Sequence, residues 1–365
     1  MAVYKIFPEK DATLYSISPS ENTGLDEILE LSTTYNNQVT YASRPVIQFN
    51  QDEITDIISN KISGSAWQSN LRLFLARASN IPLNYDLYCY PISGSWNMGT
   101  GHYQDSPEAI DGVSWKYRTA SGSSAWSLSS FDNNVTASYP PLQPGGGTWY
   151  NDVFATQSFS YITSKDINLN VTDTVNLFVS GTIINNGFII KKDDALEFSS
   201  EDAFDLKYFS IDTHTIYPPC LEFKWNDFTT VLTGSLTSSI VTTSDFKLTL
   251  PNNSGYFHEG SISKIRVNAR PKYPTRTYST SSIYTTNYFL PTASYYAIKD
   301  LDTNEFVVDF DTTYTKISAD STSNYFTIYM NGLEPERYYK FLIKTVIDGQ
   351  TIISDDSYYF KVING

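Results

Sequence analysis

The sequence predicts an almost all-β protein built as two β-sandwich domains. Three observations carry this. Aromatic residues reach 15%, with 28 Tyr and 21 Phe against only 3 Met, a mixture that suits pleated, half-buried surfaces better than helices. Short runs of alternating apolar and polar residues recur along the chain, each bounded by Gly, Pro, Asn or Ser, which is the pattern of strands with one face in a core. A chain of 365 residues also exceeds what one hydrophobic core usually serves, so two domains are expected.

Taken in order, Met1-Ala-Val-Tyr-Lys-Ile-Phe7-Pro8 enters an alternating run at once, with no basic or apolar leader. No secretory signal is expected from it, and no stretch approaches the roughly 18 consecutive apolar residues of a membrane helix. Strands are predicted over 71–75, 86–90, 175–179 and 187–190. Gln51 to Ile62 is the best helical segment, because Ile54, Ile57, Ile58 and Ile62 recur at helical spacing behind Asn50 or Asp52 as a cap. The Gly94 to Gly147 stretch differs. Gly, Ser, Pro and Asn dominate it, and Trp96, Trp115, Trp126 and Trp149 lie in or beside it, so it reads as a long surface excursion with aromatic anchors.

Cys220-Leu-Glu-Phe-Lys-Trp225 reads as a closing strand, and a domain boundary is expected at about residue 228, giving domains 1–228 and 229–365. Beyond it, strands are predicted over 246–250, 262–267, 306–310, 325–329, 339–346 and 358–362. Asp348-Gly349 between Val346-Ile347 and Thr351-Ile352 is a type I′ hairpin signal. Seven or so strands in ~130 residues make a small sandwich.

Composition bounds the function. With 25 Lys+Arg against 39 Asp+Glu the net charge is −14, and the basic residues are scattered, which argues against a nucleic-acid-tracking surface. Cys89 and Cys220 stand far apart and outside any Cys/His cluster, so neither a disulfide framework nor a zinc site is expected. They read as buried thiols.

Two resemblances add to this reading. Leu333-Glu-Pro335-Glu-Arg-Tyr-Tyr339, followed by alternating apolar residues, resembles the fibronectin type III pattern, in which the leucine plugs the core, the proline fixes the bend and the tyrosine hydroxyl reaches back to upstream backbone. Leu333, Pro335 and Tyr339 would then be structural residues of a fibronectin III or immunoglobulin-like second domain. Across residues 8–225 the first domain is similar to the DNRLRE family of β-sandwich modules. The similarity rests on Asp11-Ala-Thr-Leu-Tyr, Asn22-Thr-Gly24, Arg44-Pro-Val-Ile-Gln-Phe49, Leu71-Arg72-Leu73, Gly112-Val-Ser-Trp115, Asn185-Asn-Gly-Phe188, Phe198-Ser-Ser-Glu201 and Pro218-Pro-Cys-Leu-Glu-Phe223. It implies a jelly-roll-like sandwich of an adhesive or carbohydrate-binding-like spacer type. The family has Arg where this chain has Pro218, and the 94–147 loop is enlarged here. Family members sit on cell surfaces behind a signal peptide, whereas here the module begins within a dozen residues of Met1. An acidic double sandwich made in a host cytoplasm resembles a bacteriophage virion protein.

No enzyme is expected. Glu197 with Glu201, or Asp309 with Asp311, could pair carboxylates, but alternate acids on a strand usually mark its solvated face. His102, His214 and His258 lie in unrelated segments. Asp300-Leu-Asp302-Thr-Asn304 has three calcium-loop ligand types, yet Glu305 stands where the loop needs Gly and Asp311 where it needs Glu, which favours a hairpin turn. No metal or other cofactor is expected. The candidate contact residues are Trp96, Trp115, Trp126 and Trp149, read either as loop packing, as subunit contact or as a sugar-stacking platform, together with the basic loop residues Arg270, Lys272, Tyr273, Arg276 and Tyr278, read as a solvated loop or as an arm gripping an acidic neighbour. The expected function is a non-enzymatic component of a phage tail, neck or outer capsid, located in the virion, whose partners are other virion proteins and copies of itself. The alternative is attachment to a host-surface glycan or receptor. Nucleic-acid binding and membrane insertion are not expected.

Overall fold

The computed structural model describes residues 2–62, 66–126, 134–135, 145–193, 196–199, 203–230, 237–273, 286–356 and 358–365. The fold is all-β, with strands organised into sandwich-like bodies and a few short helices. Two compact units divide it: Ile6–Lys61 with Gln68–Glu222, and Met1–Lys5, Ile62–Trp67 and Phe223–Gly365. The change of unit thus falls between Glu222 and Phe223, upstream of residue 228, and residues 2–5 belong to the C-terminal unit.

The Ile6–Glu222 unit is organised on a large antiparallel sheet. Its strands run in the order Ala155–Ser160, Asn84–Pro91, Phe188–Lys192, Val39–Gln48, Ile28–Asn36, Phe204–Phe209 and Leu75–Ser79, and Lys10–Tyr15 pairs with Val39–Gln48 as well. The register Ala155↔Cys89 to Ser160↔Asn84 makes Asn84–Pro91 and Ala155–Ser160 the two arms of one hairpin. The excursion is the greatly enlarged loop of that hairpin. One face of the sheet supplies Ala12, Leu14, Ala42, Val46 and Ile189 to a core whose other half is Val113 and the four tryptophans of the excursion.

Two local readings change. Residues 175–179, predicted as a strand, lie in the helix Thr172–Val179, which buries Thr174, Val175 and Phe178. Over so short a run the alternation also fits one helix face, since 174, 175 and 178 share it at helical spacing. The predicted 51–62 helix is real but splits into an α-helix, Gln51–Asp56, and a π-helical turn, Ile57–Lys61. Asn50 is its cap, its side chain accepting from the Asp52 and Glu53 amides at 2.8 and 3.2 Å, as an N-cap asparagine does.

The C-terminal unit is a two-sheet sandwich. One sheet runs Thr237–Ile240, Thr286–Phe289, Ile262–Pro271, Asn324–Tyr329 and Ser318–Ala319, with Phe246–Thr249 also on Ile262–Pro271. The other runs Tyr256–His258, Tyr359–Ile363, Tyr338–Ile347, Ser294–Asp300 and Phe306–Val308, with Gln350–Ser354 on Tyr338–Ile347. Between them stacked rings fill the centre: Tyr296 on Phe326 at 4.3 Å and Phe341 on Phe360 at 4.3 Å. Asp348 and Gly349 both take positive φ, 50° and 76°, and join Ile347 to its partner Gln350, the conformation a type I′ hairpin demands. Asp300, first of the candidate calcium ligands, instead accepts from the amides of Asp302 and Thr303 and from both ends of the Arg337 guanidinium, each of those Arg337 bonds at 2.8 Å. Its segment is a turn closed by an ion pair.

Tyr339 is 2% exposed, and its hydroxyl donates to the Glu334 carbonyl at 3.0 Å beside buried Leu333. This is a tyrosine corner. Tyr339→Phe leaves the ring in place and removes one hydrogen bond, so a loss of about 1 kcal/mol in unfolding free energy is expected from denaturant melts, with no change in the denaturant slope.

Candidate functional site

The site is built on the sheet face beneath the excursion. Along Val39–Gln48 the side chains alternate, which puts Arg44 on the same apolar face as Ala42 and Val46. Leu14 pairs with Arg44 from one neighbouring strand. On the other side Ile189 pairs with Val46, and Lys191, two residues on, is again on that face. Two cations therefore stand side by side in an apolar layer, both fully buried. Such charges need a counter-ion.

Glu197 supplies it. Its carboxylate takes two parallel bonds from Arg44, Nε to Oε1 and Nη2 to Oε2, both at 2.7 Å, and a third contact from Lys191 Nζ at 3.0 Å. The fork geometry is the strongest a carboxylate can accept. Burial alone would raise the Glu197 carboxyl, but Arg44 and Lys191 outweigh it and hold the group below its ordinary value. Both cations also face aromatic rings. The Arg44 guanidinium carbon lies 4.7 Å from the Trp115 ring centre, 5.4 Å from Trp149 and 5.9 Å from Phe198, and Lys191 Nζ lies 5.5 Å from Trp149. Ring faces attract a desolvated cation. Arg44 Nη1 donates to the Gly146 carbonyl. Gly146 has φ +83°, and a Cβ there would stand 2.5 Å from Arg44 Nη1 and 2.7 Å from Trp115, so only glycine brings the backbone this close.

The base of the excursion is tied by Asn22, which is fully buried. Its amide donates to the carbonyls of Met98 and Val113 at 2.6 and 2.8 Å, and its side-chain oxygen accepts from the Gly101 amide at 2.9 Å. Gly99 has φ +83° and no room for a Cβ, which would meet Asn22 Oδ1 at 2.2 Å. One asparagine thus holds both ends of the 98–113 segment. Nearby, Asp11 Oδ2 accepts from the Ile211 amide at 2.8 Å. Burial, opposed by that amide and reinforced by Asp212, pushes the Asp11 carboxyl up to about 8.

The four tryptophans expected as contact residues all turn inward, none more than 2% exposed. Trp96 Nε1 donates to the Asn186 carbonyl at 2.8 Å and Trp126 Nε1 to the Ser114 carbonyl at 2.9 Å. Their faces are packed against the sheet, which is the loop-packing arrangement and leaves no exposed ring platform at these positions. Arg270, Lys272 and Tyr273 are exposed, with Lys272 Nζ 5.4 Å from the Tyr273 ring. Arg276 and Tyr278 lie outside the described residues, as does Glu201. Asp311 caps its own turn, accepting from the Thr313 and Tyr314 amides at 2.7 Å each. His102 and His214 stand 3.7 and 3.6 Å from Asp26 and Glu27. Among the described residues no group of three His, Cys, Asp or Glu side chains is arranged to hold a metal ion, and no helix is long and apolar enough to cross a membrane.

No family model matches the chain, and no curated protein matches it. A solved structure of a DUF4785 family protein from Legionella pneumophila aligns with 98% of this chain and 66% of its own, at 9% identity and a TM-score of 0.18. The chain therefore spans just under two thirds of that protein's length.

Arg44, Lys191 and Glu197 were not assigned as a group from sequence. The available signal was Arg44 at the same alternation phase as Ala42 and Val46, and Lys191 at that of Ile189. Glu197→Gln removes the carboxylate that the buried Arg44 and Lys191 share and is expected to cost ~3 kcal/mol or more in unfolding free energy. Because the folded Glu197 titrates below its ordinary value of 4.5, its contribution is whole above that range and is lost as pH falls through the lower folded value. Acid titration of unfolding should show this loss in the parent chain and not in the variant.

Asp11 works in the opposite direction. Its folded form keeps a proton that the unfolded chain releases near its ordinary value of 3.8, so stability falls as pH rises from there to about 8 and is level above. Asp11→Asn should melt higher than the parent above that pH, by ~1 kcal/mol or more, with the gap closing toward acid in a calorimetric pH series.

Proposed function

We propose that this chain is a non-enzymatic structural component of a bacteriophage particle, of its tail, neck or outer capsid, acting by multivalent protein–protein contacts. The observation that carries the reading is the use of Glu197. A fully buried carboxylate is clamped by Arg44 and Lys191 beneath Trp115 and Trp149. Its work is to hold a long loop on a sheet. The same holds for Asp300 under Arg337 and for the buried indoles. Groups of reactive type are spent on geometry, which is what a spacer in an assembly requires.

Two all-β bodies joined in one chain supply stiff, repeated elements, and copies arranged on a symmetric ring or shell turn weak contacts into a persistent assembly. The resemblance of the first body to DNRLRE modules and of the second to fibronectin III domains accords with such a spacer. Assembly inside the host, before lysis, would place the chain in the virion without a secretion route. The exposed Arg270, Lys272 and Tyr273 are then contact candidates toward acidic neighbours.

Antibody labelling and gradient sedimentation of purified particles should find the chain in the particle fraction at many copies per particle. Absence from the particles, or release of reducing sugar from a polymer by the pure chain, would overturn the reading.

A further inference from the structure

We infer that the outer face of the second sheet of the C-terminal unit docks the acidic surface of a second copy of this chain. The inference rests on the assembly role proposed above and names the surface through which it would act. The sheet register lays lysines and aromatic or apolar side chains out in rows. Tyr256 is level with Lys361, and Lys361 with Tyr338. In the next row Tyr359 is level with Lys340, Lys340 with Lys299 and Lys299 with Phe306. Further along, Ile353 is level with Lys344 and Lys344 with Tyr295. In these three rows lysine sits beside a ring or an apolar side chain, and the row between the last two, Ala297 level with Leu342, is buried.

The apolar members are exposed. Tyr256, Tyr338, Tyr359, Phe306 and Ile353 are 60, 48, 47, 44 and 53% accessible, an unusual concentration of large apolar groups on one sheet face that ought to be solvated. Lys340 and Lys361 have carboxylate partners at the margin, Asp355 and Glu336. Lys299 and Lys344 make no ion pair among the described residues. Lys299 Nζ stands 5.2 Å from the Phe306 ring, and Lys344 Nζ stands 5.1 and 4.7 Å from those of Tyr295 and Phe310. The exposed tyrosines match the aromatic enrichment of protein interfaces, and the lysines between them supply the charge that steers and registers an acidic partner.

The charge of the chain selects the occupant. At a net −14, another copy of the chain carries an excess of acidic groups to which a lysine-bearing face is attracted. Contact between a basic face and an acidic surface elsewhere on the molecule is head-to-tail, and such contacts generate rings or filaments instead of closed pairs. That is the geometry a ring or tube in a particle needs.

The test is sedimentation velocity of the purified full chain across concentration, at low and high salt, with Lys299→Glu/Lys344→Glu and with Lys247→Glu on the other sheet as a control. Circular dichroism confirms that each variant is folded. The parent should associate beyond a dimer at low salt, weaken about tenfold or more at high salt, and weaken by at least as much in the double variant, with the Lys247 control unchanged. A parent that stays monomeric up to ~100 μM, association indifferent to the double variant, or a monomer that instead binds dextran sulfate through Lys299 and Lys344 would each overturn the proposal. Particle incorporation by a chain that is monomeric in solution would overturn this face alone and leave the assembly role standing.

Discussion

The bidentate contact between Arg44 and Glu197 is the constraint on which the N-terminal body depends. A guanidinium placed on the apolar face of a sheet has no route back to water once the excursion closes over it, and the desolvation cost of an uncompensated ion is several kcal/mol. The fold can close only if a carboxylate arrives in the right plane. Glu197 stands 153 positions from Arg44 in sequence, so the pair fixes how the turn after Phe188–Lys192, the Val39–Gln48 strand and the excursion meet. Lys191 brings a second cation to the same carboxylate. The Gly146 and Lys192 carbonyls and the rings of Trp115, Trp149 and Phe198 turn negative potential toward the cations, which suits aromatic residues better than aliphatic ones to the roof of the site.

The roof explains how the described parts of the excursion, 94–126 and 145–147, are held on the sheet. Fixing each residue of a Gly/Ser-rich segment costs about 1–2 kcal/mol of backbone entropy, and polar loop residues bury too little to offset it. Tryptophans do, because each buries a large apolar area. Asn22 then supplies what burial cannot, hydrogen bonds to the loop's backbone at both ends of the 98–113 segment. Apolar area holds the loop down, and one amide side chain specifies where.

Much of this was legible in the sequence where the physics is local. Asp348-Gly349 announces its turn because both positions need positive φ. Asn50 announces a helix start, and Leu333 to Tyr339 the corner that follows. The aromatic anchoring of the excursion was legible as composition, but composition does not say which way a ring faces. The Arg44, Lys191 and Glu197 cluster was not legible, since nothing local links residues so far apart. The strand predicted over 175–179 failed for a related reason: five residues do not distinguish one face of a helix from one face of a strand, and the decision belongs to Phe178 reaching Phe188, 5.5 Å away. The lysine and aromatic rows of the C-terminal sheet lie between these cases. Tyr338, Lys340 and Lys344 share a strand face by spacing alone, whereas Lys299, Lys361 and Tyr256 join them only through register.

The two bodies use charge in opposite ways, and the contrast bears on function. In the first, cations are buried, paired and roofed, so their field ends within a few ångströms and serves the fold. In the second, lysines stand on a solvated face against exposed rings, where attraction at that distance is worth little to stability and persists out to the ~8 Å of physiological screening. A protein whose net charge is strongly negative keeps its copies apart by default. Only a face of reversed sign, backed by apolar area that gains from being covered, can bring them together in one orientation. If copies dock through that face as proposed, folding and assembly draw on separate sets of charges, and a rise in ionic strength would release the contact between copies while leaving the buried cluster intact.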